Sequence, residues 1–527
     1  MDSSLAPRIW EITGAEPSAL ALADGRRSIR WSELETRTNA LGRGIESLGI
    51  APGSHVVLAA SNRVEFIETL IGAMRAGMIV TPVKTSWTTE ELGHVLADAG
   101  TRLVVTDLET PSRAARAAGV TVLHLDTGIA GEGFETWLAG QDDAPLPRAR
   151  TGMRMSYTSG TTGRPKGVVR LADRARPWCE AFAASRAFKD VLAVPTNGPH
   201  LNVSALFHGA PLAFSLALMA NGAPLVILPH WDAAAALEAL ADGIHSTTMV
   251  PTMFRQLLAL PEDVRRCFRA PELRVILHGG EPCPQPLKRQ MLEWLGPILV
   301  EYYGMTEGGL TVATAAEWLT RPGTVGRAKL GLRVRVLDQA GRDLPPGEEG
   351  GIYFATPSGK TFEYRNEPGK TAQSHTPDGA FTVGDIGYVD GDGYLFISGR
   401  AADVIVCGGI NVYPAEIEDV LFSLREVRDA CVVGAPDEMR GETVAAFVAL
   451  AGDAGAAETA LAAIDAACQQ RLAGYKRPRQ FLLREHIPRD GTGKLLRAQL
   501  RDELWKGRSG FAASGKRKSG ARGGSVG

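Results

Sequence analysis

From His55 onward the apolar residues switch repeatedly between two periods, and that alternation restricts the chain to a small set of folds. His55–Ala60 is a short β-rich run, and Val64–Ala76 carries Phe66, Ile67, Leu70, Ile71 and Met74 at helical spacing. Met78–Val83 is apolar again, and Thr88-Thr89-Glu90-Glu91 has the capping-box spacing that opens a helix. Arg102–Thr106 and Val120–Leu125 read as further strands, and the pattern resumes at Ala223–Leu228, Ala233–Ala241, Ser246–Val250 and Arg274–Leu277. Strand–helix–strand repetition predicts mostly parallel sheets covered by helices. After residue 330 the texture changes. Gly331–Leu337, Gly350–Ala355 and Gly393–Ser398 are short runs between Gly, Pro and Asp, which predicts a small antiparallel β region. Beyond Arg400 a strand, a helix over Pro414–Leu424, strands at Ala430–Gly434 and Val444–Leu450 and a helix near Ala456–Ala473 suit a compact α+β unit. The expected class is α/β: a large multi-layered N-terminal domain with mostly parallel sheets plus a β subdomain, and a small α+β C-terminal domain.

A chain of 527 residues is long enough for about three domain-sized units. Lys and Arg number 57 against 59 Asp and Glu, so no global field for a polyanion exists and no nucleic-acid partner is expected. Cys179, Cys267, Cys283, Cys407, Cys431 and Cys468 lie far apart with no C-x-x-C pair. That spacing fits reduced thiols and a cytoplasmic location better than a disulfide framework or a zinc site. Met1–Pro17 lacks the basic and apolar regions of a secretory signal. Gly209–Leu228 is the most apolar stretch, but Pro211, Asn221, Gly222 and Pro224 interrupt it, so a core helix, a turn and a strand are expected rather than a membrane span. Residues 506–527 are basic, free of acids and rich in Gly and Ser, and are expected to be a disordered tail.

The densest chemical signal is Tyr157-Thr158-Ser159-Gly160-Thr161-Thr162-Gly163-Arg164-Pro165-Lys166-Gly167. Glycines let a backbone approach an anion, N–H groups and hydroxyls cradle phosphate oxygens, and Lys166 adds a positive charge. Alignment with the P-loop pattern on Lys166 fails twice: Pro165 stands at the glycine and Gly167 at the magnesium-binding hydroxyl. The loop is therefore a phosphate loop of another kind.

This stretch resembles the signature loop of the adenylate-forming acyl-CoA synthetases, whose relatives are carrier-protein adenylation domains and beetle luciferases. The resemblance runs from about residue 20 to 505, with further motifs in the family's order. His278-Gly279-Gly280-Glu281-Pro282 follows a strand, and Glu301-Tyr302-Tyr303-Gly304-Met305-Thr306-Glu307 comes next. The resemblance implies that Gly279, Gly280 and Tyr303 sandwich an adenine, with Glu281, Tyr302, Gly304 and Met305 in the same nucleotide site. It places Thr306 on the α-phosphate, and Glu307 with Thr158 on Mg²⁺. Phe381-Thr382-Val383-Gly384-Asp385 supplies Asp385 for the ribose hydroxyls, with Val383 where the family carries Thr.

Gly399-Arg400-Ala401-Ala402-Asp403 resembles the family's domain-joining motif. Arg400 would meet ribose and phosphate, and Ala402 stands at a hinge that is often charged. Gly408 and Gly409 would line the CoA tunnel, and Lys494, inside Pro488–Leu495, would be the catalytic lysine alongside Lys166. The organisation implied is an AMP-binding domain over 1–399, a hinge at 400–403, and a small mobile domain over 404–505. Phe207, His208, Gly308 and Gly309 would line the acid pocket, with His208 as a gate beside the acyl group. Amino-acid-activating relatives carry an Asp after the aromatic residue of that segment, whereas this chain has His208, and an unpaired buried ammonium would be costly. The implied reaction is ligation of a medium-chain, long-chain or cyclic carboxylic acid to CoA with ATP and Mg²⁺. Transfer to a carrier-protein thiol and a non-catalytic nucleotide sensor stand as alternatives, and a homo-oligomer is left open.

Overall fold

The structure is a computed structural model that describes residues 4–129, 131–158, 165–357, 359, 361–451, 457–489 and 495–506. The chain divides into two compact units. The first comprises Met1–Glu281, Met291–Arg335 and Tyr353–Val383, and the second Pro282–Gln290, Val336–Ile352 and Gly384–Gly527. The last division falls between Val383 and Gly384, with Thr382 and Asp385 each the second residue from it.

The first unit holds two parallel sheets. One has five strands in the order Thr121–His124, Thr101–Thr106, His55–Ala59, Ile79–Pro82 and Met153–Arg154, all parallel. Both faces are covered. Val56, Leu58, Leu103 and Val105 pack with Leu41, Phe66, Leu70 and their neighbours, while Val57, Ala59 and Val104 pack with Leu92, Val95, Leu96 and Ala114. Alternate residues of one strand thus feed two cores, as the two-residue period requires. Thr88 caps the helix Thr89–Ala99: its hydroxyl accepts from the Glu91 N–H at 3.3 Å and Glu91 Oε2 accepts from the Thr88 N–H at 2.8 Å.

The other sheet runs, within this unit, in the order Leu20–Ala23, Leu225–Ile227, His200–Asn202, Ser246–Met249, Val275–Gly279 and Leu299–Gly304. These six are parallel, and Leu310–Thr314 and Thr324–Ala328 continue the sheet antiparallel. The chain reverses its direction of strand addition at His200–Asn202, so the carboxyl ends beside it form the crevice in which such sheets bind ligands. The apolar stretch after Gly209 becomes the helix Gly209–Ala220 and the strand Leu225–Ile227. No helix among the described residues is long and apolar enough to cross a membrane.

The second unit contains a short antiparallel ribbon, Asp385–Val389 with Leu395–Arg400, and a five-stranded sheet. In that sheet Gly441–Leu450 pairs antiparallel with Val427–Asp437 and parallel with Gln480–Leu483. Val444, Ala446 and Val448 face Ile417, Leu421, Ile464 and Cys468, while Ala445, Phe447 and Ala449 face Ile487 and Leu500. Helices Pro414–Phe422, Ala457–Arg471 and Arg497–Trp505 supply those partners except Ile487, which lies in a loop. The tail from residue 507 onward lies outside the described residues.

Candidate active site

In the first unit, Ser156–Thr158 and Lys166–Arg170 pair antiparallel with Thr158 opposite Lys166, and Phe362–Tyr364 adds a third strand. The hairpin holds both ends of the phosphate loop. Ser159, Gly160, Thr161, Thr162 and Gly163, named above as nucleotide contacts, lie outside the described residues. At the loop's end the Lys166 ammonium sits 5.6 Å from the centre of the Tyr364 ring. The Tyr364 hydroxyl donates to Glu307 Oε1 at 2.8 Å. Burial, and then the neighbouring Lys370, hold the Lys166 ammonium below the ordinary lysine range, against the pull of Glu367 and Glu307. Lys370 pairs with Glu367 at 2.5 Å, so the two ammonium groups face two carboxylates, Glu307 and Glu367.

The start of the loop is fixed from behind. The Tyr157 hydroxyl donates to Asp98 Oδ2 at 2.5 Å, Asn366 Nδ2 donates to Asp98 Oδ1 at 3.0 Å, and Arg365 Nε donates to the Asp98 carbonyl at 2.8 Å. Tyr364, Lys370 and Asp98 were not expected from the sequence. Their local signal is weak, because each acts on a residue far along the chain.

Strands Val275–Gly279 and Leu299–Gly304 bring Gly279 opposite Tyr302. A Cβ at Gly279 would lie 2.2 Å from the Tyr302 carbonyl oxygen, and Gly280 has φ +83°, so the two glycines are bare for different reasons. The two tyrosines point to opposite faces. The ring of Tyr302, a residue grouped above with the nucleotide contacts, lies in the core: Tyr302 is 4% exposed and its ring meets Phe214 edge-on at 4.8 Å. Tyr303 is half-buried, and its side chain lies on the other face of the strand, its ring centre 6.1 Å from that of Phe354. Glu281 accepts from both the N–H and the hydroxyl of Thr252 at 2.6 Å, which ties the strand end to the helix Pro251–Leu258.

Past Gly304 the chain turns, with the Gly308 N–H donating to the Met305 carbonyl at 3.1 Å. Gly209 faces the Thr306 hydroxyl, 3.8 Å from where its Cβ would stand, so the Phe207–His208 segment adjoins Thr306. The Phe207 and His208 rings are 4.4 Å apart. Gly308 and Gly309 open less room than their lack of side chains suggests. A Cβ at Gly309 would lie 2.8 Å from the Phe354 ring, and one at Gly308 3.4 Å from Phe381. Aromatic side chains already fill that space.

In the second unit Asp385 stands directly opposite Arg400, whose Nε donates to Asp385 Oδ1 at 3.1 Å. Asp385 is buried, while Arg400 is about half exposed. Gly408 and Gly409 form a tight turn with φ +60° and +85°. Lys494 lies outside the described residues, but both flanks of its loop are anchored. Arg489 pairs with Asp429 at 2.9 Å, and Arg497 makes a two-pronged pair with Glu418 at 2.7 and 3.0 Å.

Comparison with known proteins gives a consistent picture. The family model described as AMP-binding enzyme matches residues 10–361, and that of the AMP-binding enzyme C-terminal domain matches residues 416–494. The chain is 33% identical over 510 residues to the fatty acid–[acyl-carrier-protein] ligase ScoC of Streptomyces coeruleorubidus, covering 93% of this chain and 94% of that protein. It is 33% identical over 488 residues to a 2-succinylbenzoate–CoA ligase of Geobacillus kaustophilus, covering 92% and 95%. ATP-bound MatB from Rhodopseudomonas palustris superposes with a TM-score of 0.82 at 27% identity, covering 96% of this chain and 99% of MatB.

Proposed function

Because the chain belongs to the family of AMP-binding, adenylate-forming enzymes, we propose that it is an ATP-dependent acid–CoA ligase acting on a non-amino carboxylic acid. The observation that carries this reading is the Lys166–Tyr364–Glu307 cluster, whose Glu307 lies on the same chain turn as Tyr303 and Thr306.

In the first half-reaction a carboxylate oxygen attacks the α-phosphorus of ATP. An acyl–AMP anhydride forms and pyrophosphate leaves. Both reactants are anions, so their approach needs fixed positive charge. Lys166 faces the phosphates, and Lys494 bridges carboxylate and α-phosphate. Tyr303 and the Gly279–Gly280 backbone hold the adenine, and Asp385 accepts from the ribose hydroxyls with Arg400 beside it. Mg²⁺ bound with the nucleotide takes oxygen ligands and tolerates a single protein carboxylate, which fits Glu307, with Thr158 beside the loop. In the second half-reaction the small domain turns about Ala402, replacing Lys494 by the Gly408–Gly409 face. A thiolate then attacks the acyl carbonyl, forming the thioester and releasing AMP.

The acid is a non-amino one, read from His208 where a carboxylate would be needed for an ammonium. The cysteines of the described residues are all free thiols, in keeping with a reducing compartment. A carrier-protein thiol is the second reading, favoured by the likeness to ScoC. The test is pyrophosphate release from ATP with a panel of aliphatic, aromatic and cyclic acids, followed by addition of CoA or a phosphopantetheinylated carrier protein. Release of pyrophosphate and then AMP on adding CoA supports the ligase. No pyrophosphate with any acid returns the chain to a nucleotide-binding role.

A further inference from the structure

The last turn of the helix Thr89–Ala99 is tied to both strands of the phosphate hairpin. Tyr157 and Gly167 are cross-strand partners, one step from the pair Thr158 and Lys166. On the first strand the Tyr157 hydroxyl donates to Asp98 Oδ2 at 2.5 Å. On the second, the Gly167 carbonyl accepts from the Arg365 N–H at 2.8 Å. The Arg365 side chain then returns to the helix. Its Nε donates to the Asp98 carbonyl at 2.8 Å and its Nη2 to the Ala99 carbonyl at 3.0 Å. One turn earlier on the same helix, His94 Nε2 lies 3.4 Å from the Pro165 carbonyl.

Arg365 is the centre of this arrangement. The last carbonyls of a helix have no partner within it and carry the negative end of its dipole, so a guanidinium there is held by charge as well as by hydrogen bonds. His55 Nε2 lies 3.2 Å from Arg365 Nη1. Burial first, and then Arg365, push the His55 pKa down to about 4, so near neutral pH the ring accepts from the guanidinium. Each nitrogen of the guanidinium therefore has a partner. The backbone beside it is committed as well. Asn366 has φ +56°, a left-handed conformation that asparagine tolerates, and its Nδ2 donates to Asp98 Oδ1 at 3.0 Å. Gly167 is bare where Arg365 passes: a Cβ there would lie 3.3 Å from Arg365 Cβ and 3.2 Å from the Tyr157 ring.

We propose that Arg365 is a positioning residue for the nucleotide: by joining the strand that begins at Lys166 to the end of the helix Thr89–Ala99, it holds the Lys166 ammonium in place for the phosphates beyond the α-phosphate. The inference rests on the ATP-dependent reading above and adds the residue that sets the geometry of its phosphate site. Arg365 itself touches no nucleotide and acts through Lys166. Thr306 is the residue assigned to the α-phosphate, which leaves the outer phosphates to Lys166. Those phosphates depart as pyrophosphate, so a misplaced Lys166 weakens the hold on ATP and spares AMP.

The test measures equilibrium binding of Mg·ATP and of AMP to the full chain by calorimetry, with pyrophosphate release followed alongside. Arg365→Ala raises the Kd for Mg·ATP about tenfold, the size expected for one charge-assisted hydrogen bond, and leaves that for AMP within about twofold of the parent. Arg365→Lys keeps the charge and the main-chain N–H but not the forked geometry, and recovers part of the loss. In a Lys166→Ala background Arg365→Ala adds less than about twofold, because residues that act as one unit are not additive. Arg116→Ala, at an exposed arginine of the same unit, changes neither constant. An equal rise for AMP and Mg·ATP, no rise for either, or a further loss of about tenfold on top of Lys166→Ala overturns the assignment. If Arg365→Ala does not fold, Arg365→Lys decides by the same comparison: a rise confined to Mg·ATP supports the assignment, and an equal rise or none overturns it. A parent that binds Mg·ATP but releases no pyrophosphate with any acid overturns the ligase reading, and the binding constants still decide the role of Arg365. A parent that binds no Mg·ATP overturns both.

Discussion

The Tyr364 hydroxyl donates to Glu307 Oε1 at 2.8 Å, across 57 residues of sequence, while the face of the same ring lies 5.6 Å from the Lys166 ammonium. One side chain therefore sets the spacing between the cation that ends the phosphate loop and the carboxylate proposed for the metal. Tyr364→Phe keeps the ring and removes the hydrogen bond. It should raise KM for Mg·ATP about tenfold, with thermal stability changed by less than about 1 kcal/mol. Unchanged KM across a magnesium titration would remove Tyr364 from the site.

Lys494 is assigned to the first half-reaction alone. Lys494→Ala should abolish pyrophosphate exchange by several orders of magnitude and leave thioester formation from supplied acyl-AMP within about twofold of the parent, because one fixed charge at the developing anion contributes most in the step that forms it. Equal loss in both half-reactions would falsify the division of labour.

The pair Arg75–Glu35 is nearly sealed from water. Arg75 Nη2 donates to Glu35 Oε1 at 2.6 Å, and the Ile9 N–H donates to Glu35 Oε2 at 2.8 Å, joining three N-terminal helices. Glu35→Ala leaves a buried guanidinium unpaired and should destabilise the first unit by about 3–5 kcal/mol in denaturant unfolding. A loss below 1 kcal/mol would mean that water reaches the pair.

His55 is buried beside Arg365, whose Nη1 lies 3.2 Å from His55 Nε2. Burial first, then Arg365 and Arg174, push its pKa down to about 4, with Asp98 opposing. The unfolded chain takes up a proton near pH 6.5, and the folded one does not until about 4. Stability from this residue is therefore whole above pH 6.5 and falls as the pH drops to about 4, by roughly 2–3 kcal/mol. Melting temperature against pH should show the decline, and His55→Gln should flatten it.

Much of the fold was legible because its signals are local. The capping box at Thr88 and the paired apolar periods around Val56 and Phe66 state their structure within a dozen residues. The two tyrosines were legible as a motif, with Tyr303 given the ring contact by resemblance, but the burial of the Tyr302 ring against Phe214 depends on a partner more than eighty residues earlier. Tyr364 carries no local period at all, and is defined by partners that sheet pairing brings to it. Gly309 is a related case, since an absent side chain leaves space only where no neighbour, here Phe354, has taken it.

The close fit of position 279 against the backbone of the next strand has a bearing on how tolerance to change is distributed. Any side chain there must push two paired strands apart, so variants will be lost through misfolding whatever nucleotide is offered. Gly409, with nothing within 4 Å of its absent Cβ, constrains only through its left-handed backbone, and asparagine can adopt that conformation. Survivors of random mutagenesis should thus be absent at the first position and present, with altered catalysis, at the second.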